Sequence, residues 1–207
     1  MAQHGFARTS IWDIESTDHT DTTASVTLVL TASSATKALW PHEFTLRYVI
    51  QLTNDELTCS LNIANPIHGT SSFMCQSLLH TYFLIHNVAE LSVSGFQGRT
   101  YSDKLKNGEL SVDDRPLATI SEEVDRVYTG HEDGNAYEIQ LFFPSISAVP
   151  TAAASASSPS DNIRVVASAT INMNHTTNSS TTSVVPCDVV FWNPWIGSFV
   201  HTINQSI

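Results

Sequence analysis

Between residues 44 and 63 the chain alternates strictly. Phe44, Leu46, Tyr48, Ile50 and Leu52 are interleaved with Thr45, Arg47, Val49 and Gln51, and Leu57, Cys59, Leu61 and Ile63 with Thr58, Ser60 and Asn62. A period of two places one set of side chains on each face of a strand, so both runs are predicted to be half-buried strands. The four residues between them, Thr53, Asn54, Asp55 and Glu56, favour chain reversal because their side chains bond their own backbone, and the two runs form a hairpin. Similar alternation predicts strands over Val26 to Leu30, Tyr137 to Phe143 and Ile163 to Ile171, while no stretch sustains an apolar stripe of helical spacing over three turns. Many short strands with polar turns give an all-β fold, a large antiparallel β-sandwich without a long helix.

Two stretches interrupt the pattern. Residues 145–161 and 174–183 are built of Ser, Ala, Thr, Asn and Pro with almost no large apolar side chain, so they are predicted to be long hairpin loops on either side of the 163–171 strand. Because neither separates two patterned regions of different character, the whole of residues 1–207 is expected to form a single domain.

Composition narrows the function. Nine Lys and Arg against 20 Asp and Glu give a formal net charge of −11, the wrong sign for a surface that neutralises phosphates of nucleic acid or anionic lipid. Cys59, Cys75 and Cys187 are scattered and form no CxxC pair, which points to a reducing compartment rather than a disulfide framework or zinc site. The first residues show no charged segment followed by an apolar run, and no stretch approaches the ~18 apolar residues of a membrane span. A cytoplasmic location is expected. The glycosylation sequons at Asn174, Asn178 and Asn204 are then chance products of a Ser/Thr/Asn-rich region.

No nucleotide-binding glycine loop, HExxH or GxSxG motif is present. Four polar-aromatic clusters stand out instead: residues 3–8 (QHGFAR), 79–83 (LHTYF), 101–104 (YSDK) and 192–195 (WNPW). An aromatic ring packs against the apolar C–H face of a sugar, carboxylate and amide groups take its hydroxyls, and an arginine forks onto phosphate or carboxylate. Imidazole adds a proton that can be transferred near neutral pH. Any one cluster is more often core packing than a site. Four together favour a sugar site.

In order and spacing the motifs HGFAR with Thr9, Ser10 and Trp12, LHTYF, GFQGxxYxDK at 95–104, EVDRVY at 123–128 and the run from Asp188 to WNPW resemble the glucose-6-phosphate 1-epimerases, hexose-6-phosphate mutarotases of the aldose 1-epimerase family. The resemblance extends from Gln3 to Trp195 and implies a galactose mutarotase-like sandwich. It implies that His80 of LHTYF is the catalytic acid that protonates the ring oxygen while a carboxylate removes the C1 hydroxyl proton, so that the opened aldehyde recloses as the other anomer. It further implies substrate contacts from Gln3, His4 and Asp103 to sugar hydroxyls and from Arg8 to phosphate. His80, Arg8 and Asp103 are expected on one concave sheet face. Neither cofactor nor metal is implied, and the partner is a small-molecule hexose 6-phosphate bound by a monomer, without nucleic acid or membrane.

The same resemblance places two further features outside these 207 residues. Family members carry an Arg-Gly-Gly-Ile-Pro stretch before HGFAR, and their catalytic glutamate follows WNPW by several dozen residues. The expectation is therefore a sandwich incomplete at both termini, holding the acid without its base and impaired in turnover. Glu122, Glu123, Glu132 and Asp133 are the carboxylates within the chain able to substitute, with no spacing that distinguishes one of them. Two alternatives stay open: a sugar-phosphate-binding module without catalysis, and a plain all-β interaction domain.

Overall fold

The computed structural model describes residues 4–66, 72–85, 87–130, 137–143, 161–167, 169–174, 180–185, 188–193 and 199–205. The chain divides into two compact units, Met1–Met74 and Cys75–Ile207. Among the described residues no helix is long and apolar enough to cross a membrane.

The N-terminal unit is one antiparallel sheet with strands in sequence order: β1 (Asp13–His19), β2 (Thr23–Thr31), β3 (Thr45–Thr53) and β4 (Leu57–Ala64). The predicted hairpin is present, in continuous register from Thr45 opposite Ala64 to Leu52 opposite Leu57. Its turn closes as its residue types dictate, with Thr53 N–H donating to the Glu56 carbonyl at 2.8 Å and Glu56 N–H donating to Thr53 Oγ1 at 3.1 Å. Burial does not follow the alternation to its end. Leu46, Leu30 and Phe44 are buried, whereas Leu52 and Leu57 beside the turn are more than half exposed. Phe6, Trp12, Trp40 and Phe73 pack around the buried trio.

Between β2 and β3 lies α1 (Ser34–Leu39), a helix of six residues that the alternation did not forecast. Its start rests on a reciprocal cap: Ser33 Oγ accepts from Thr36 N–H at 3.2 Å, and Thr36 Oγ1 accepts from Ser33 N–H at 2.8 Å. Threonine here does what Glu or Gln usually does in the third helical position. Ser33→Ala is expected to cost about 1 kcal/mol in denaturant unfolding at unchanged m-value, the usual loss for an N-cap. A loss near zero would mean that the cap does not hold this turn.

The second unit is a sandwich of sheets. One has six strands in the order β5 (Ser77–Leu84), β16 (Phe199–Gln205), β15 (Val189–Asn193), β10 (Val124–Tyr128), β7 (Arg99–Asp103) and β8 (Glu109–Asp113). Another has four, in the order β12 (Asp161–Ala167), β11 (Tyr137–Phe143), β6 (Ser92–Ser94) and β9 (Ala118–Thr119), and β13 (Ala169–Asn174) pairs with β14 (Ser180–Val185). Every strand pairing among the described residues is antiparallel, as predicted. Tyr101, Val124, Tyr128, Val189 and Phe191 from the six-stranded sheet meet Val93, Ala118, Ile139, Leu141 and Ala167 from the four-stranded one in a single core. At its centre Phe96 stacks on Tyr128, with ring centroids 4.0 Å apart and planes 12° apart.

Two expectations need correction. The 163–171 stretch is not one strand: β12 pairs with β11, and β13 turns instead to β14. Nor is 174–183 loop throughout, because Asn174 ends β13 and residues from Ser180 onward form β14. Its Thr and Val residues are β-branched and suit a pleated strand even where polar composition suggests a loop. Residues 144–160, most of the other expected loop, lie outside the described residues.

Candidate functional site

Of the expected site residues, Gln3 lies outside the described residues, as do Glu132, Asp133 and Trp195. His4 and Arg8 belong to the N-terminal unit and are exposed. His4 and Gly5 both take left-handed backbone conformations (φ 65° and 70°), which turn the chain before the short 3-10 helix Ala7–Thr9 that carries Arg8. That turn is anchored from both sides. Phe6 packs on Phe44 at 5.5 Å between centroids, and Trp12 Nε1 donates to the Ala7 carbonyl at 2.9 Å.

His80 stands exposed on β5, the edge strand of the six-stranded sheet in the second unit. The strand is irregular at that point. Tyr82 lies opposite His201, but the next matched pair is Leu79 with Ile203, so three residues of β5 span the length of two on β16. The surplus residue falls at His80 and Thr81. A bulge of this kind breaks alternation and re-aims a side chain, and His80, Thr81 and Tyr82 are all exposed in succession.

Asp103 takes the interior side of the same sheet. It is 5% exposed, accepts from Leu105 N–H at 3.0 Å, and lies 3.7 Å from Arg126 Nε. Arg126 also sits 4.6 Å from the centre of the Tyr101 ring and 3.9 Å from Asp113 Oδ2. Asp113 in turn accepts from Tyr128 Oη at 2.7 Å and from Arg115 Nε and Nη2 at 2.9 and 2.7 Å. Burial alone would raise the Asp113 carboxyl, yet the hydrogen bonds from Arg115 and Tyr128 hold it below its ordinary value. Asp103 and Asp113 thus close a charge-balanced network with Arg115 and Arg126. Asp103 shares the parity of Tyr101 and lies with it on the core side of the sheet, while the bulge at His80 leaves alternation silent on which side that residue takes.

The carboxylate on the other face is Asp125, which residue-by-residue reading had left without a role. Val124 and Tyr128 are buried in the core, and alternation along β10 sends Asp125 and Val127 to the opposite side. Asp125 is paired with Trp192, Trp192 with His201 and His201 with Tyr82, so Asp125 and Tyr82 occupy one cross-strand row beside the bulge of His80. Burial pushes the Asp125 carboxyl above its ordinary value, and the charges of Asp103 and Glu123 push the same way against the opposing pull of Lys104. The signal was available in EVDRVY: Val124 and Tyr128 fix the inward parity, and Asp125 is then outward. Glu122 and Glu123 are exposed in the approach to β10. Among the described residues no group of three or more His, Cys, Asp or Glu side chains is placed to hold a metal ion.

The family model described as Aldose 1-epimerase matches residues 1–199. A protein of Escherichia coli (strain K12), provisionally named a glucose-6-phosphate 1-epimerase, is 35% identical over 133 residues, covering 64% of this chain and 42% of that protein. A plant protein of the same provisional name, from Cenchrus ciliaris, is 29% identical over 134 residues, 62% of this chain and 41% of its own length. The chain therefore spans about two-fifths of the length of these relatives. Among solved structures, the provisionally named mutarotase YeaD from Salmonella typhimurium superposes with a TM-score of 0.60 at 22% identity, covering 100% of this chain and 63% of that one. A galactose mutarotase related enzyme from Lactobacillus acidophilus gives 0.58 at 17% identity, covering 99% of this chain and 61% of its own. These two likenesses concern the fold, which is galactose mutarotase-like. With the family match running over both compact units, the chain belongs to the aldose 1-epimerase family.

Proposed function

We propose that this chain serves hexose-6-phosphate mutarotation, the interconversion of the α and β anomers of glucose 6-phosphate, as one cytoplasmic, monomeric family domain formed from both units and acting without a cofactor. The observation that supports it most is the exposed His80 at a β-bulge next to Tyr82, which shares a cross-strand row with Asp125. Three strand spacings separate β5 from β10, about 14 Å from main chain to main chain.

Mutarotation needs little more. A proton goes to the ring oxygen as the C1–O5 bond breaks, the C1 hydroxyl gives up its proton to a base, and reversal after rotation about C1–C2 restores both. His80 is the acid in this proposal. Asp125, whose carboxyl burial raises above its ordinary value, is the acceptor, on the sheet face that carries Tyr82. For Asp103 to touch a sugar hydroxyl it must leave Leu105 N–H and Arg126. Asp125 meets no such cost. The roles assigned to Gln3, His4 and Arg8 belong to the same proposal and are tested by substitution.

Binding is the first readout, because it reports on the sugar site separately from proton transfer. Calorimetry should give tighter binding of glucose 6-phosphate than of glucose, and Arg8→Ala should remove the preference, a charge-assisted hydrogen bond being worth roughly 1.5–3 kcal/mol. Anomer exchange followed by saturation-transfer NMR, with the buffer rate subtracted, should fall to background in His80→Ala while binding persists. Binding without exchange in the unsubstituted chain would leave a sugar-phosphate-binding module. Equal affinity for both sugars would sink the assignment of Arg8.

A further inference from the structure

The exposed face of the six-stranded sheet carries a cation beside Asp125. β7 and β10 pair Tyr101 with Tyr128, Ser102 with Val127 and Asp103 with Arg126, and the residues next to that last pair are Lys104 after β7 and Asp125 within β10. β7 ends there. The Asp103 carboxylate accepts from Leu105 N–H and tightens the chain into the 3-10 helix Lys104–Lys106, which packs against β10. Asp103 is drawn inward by this cap while Lys104, of opposite parity, is left exposed. One buried and one exposed charge of opposite sign are thus delivered to the two sides of the sheet by adjacent residues.

The charged groups near Asp125 can be named from each neighbouring element. Lys104 comes from the 3-10 helix, Asp103 from the end of β7 and Glu123 from the approach to β10 itself. Across β15 the register neighbour is uncharged Trp192, and His201 of β16 follows. Among the described residues, Lys104 is the one whose charge favours the ionised carboxylate, against burial and two acidic neighbours.

We propose that Lys104 is a positioning residue: its ammonium pairs with Asp125 across the end of β7 and holds that carboxylate as a hydrogen-bond acceptor on the open side of the sheet. The inference rests on Asp125 being the ligand-facing carboxylate, as in the function proposed above. A pair whose cation is exposed contributes little to folding, so the substitution that removes it leaves the fold available for study. A lysine also suits the task, being a mobile point charge that follows a carboxylate without imposing the fixed fork of arginine.

The test follows the Asp125 carboxyl carbon by ¹³C NMR across pH in the full chain, its resonance identified by its loss in Asp125→Asn. Lys104→Gln should move the titration midpoint upward, and Lys104→Arg should return it close to the original position, with melting temperatures unchanged. Coincident midpoints in Lys104→Gln and the unsubstituted chain would overturn the pairing. Glucose and glucose 6-phosphate are then titrated at one pH below the Lys104→Gln midpoint and one well above it. With Lys104→Gln both sugars should bind several-fold more weakly at the lower pH and recover at the higher, where Asp125 is ionised again. A loss confined to glucose 6-phosphate and equal at both pH values would make Lys104 a phosphate contact and overturn the positioning role. If the midpoint moves as stated while the unsubstituted chain binds neither sugar, the pair stands and the proposed function fails.

Discussion

Gly95→Ala is expected to lower the melting temperature by roughly 5–15 °C, one of the two largest single-residue effects in the second unit. The cause is geometric. Gly95 follows β6 with φ 105°, where the chain passes over β11, and a Cβ built there overlaps the Glu138 carbonyl oxygen and lies 3.2 Å from Ile139 Cα. Both obstacles are backbone, and Ile139 is part of the core, so neither yields by a change of rotamer. The left-handed conformation adds ~1–2 kcal/mol for any side chain, and displacing packed backbone adds ~1–3 kcal/mol. Gly98 separates the two contributions. It has φ 76° with nothing within 4 Å of a built Cβ, so Gly98→Ala should cost only the conformational part, about 1–2 kcal/mol. Thermal unfolding of both variants by circular dichroism checks the difference; equal losses would mean that the approach to Glu138 carries no energy.

Local pattern made the hairpin of β3 and β4 legible because alternation and turn chemistry agreed there, and register then followed from the turn. It is silent where a strand carries charge inward. Tyr101 and Asp103 share a parity, as do Val124, Arg126 and Tyr128, and residue type alone does not tell a charge among core neighbours from one that meets a ligand. Parity would have placed Asp103 and Asp125 on opposite sides. The bulge at His80 has no such signature, since it arises from pairing with β16, more than a hundred residues away in the chain. The split between β12 and β13 was hidden for a related reason. Apolar alternation continues on both sides of the break, and only the choice of partner strand distinguishes them. HGFAR was legible as a motif, while the anchoring of its Phe6 by Trp40 and Phe44 depends on residues some thirty to forty positions later.

The other large effect belongs to Asp113, whose removal should destabilise by about 3–5 kcal/mol, the range for breaking a buried ion pair from one side. Its side chain is 1% exposed, and it is the common acceptor for Arg115, Tyr128 and, at longer range, Arg126. In Asp113→Ala the Tyr128 hydroxyl and the largely buried Arg126 lose that acceptor in the core, which costs more than the bonds themselves contribute. Asp113→Asn retains an oxygen for Tyr128 and should be destabilised less, whereas Asp114→Ala, next along the chain and exposed, should stay within about 0.5 kcal/mol. The pH dependence has a definite sign. Because the folded carboxyl titrates below its ordinary value, Asp113 contributes in full above the unfolded pKa of about 3.9, and its contribution is lost as pH falls through the lower folded value. Urea unfolding between pH 7 and pH 3 should therefore show a stability difference between the unsubstituted chain and Asp113→Asn that is constant above about pH 5 and narrows in the acid range. A difference that widened on acidification would require a carboxyl raised by its burial, with the hydrogen bonds from Arg115 and Tyr128 too weak to outweigh it.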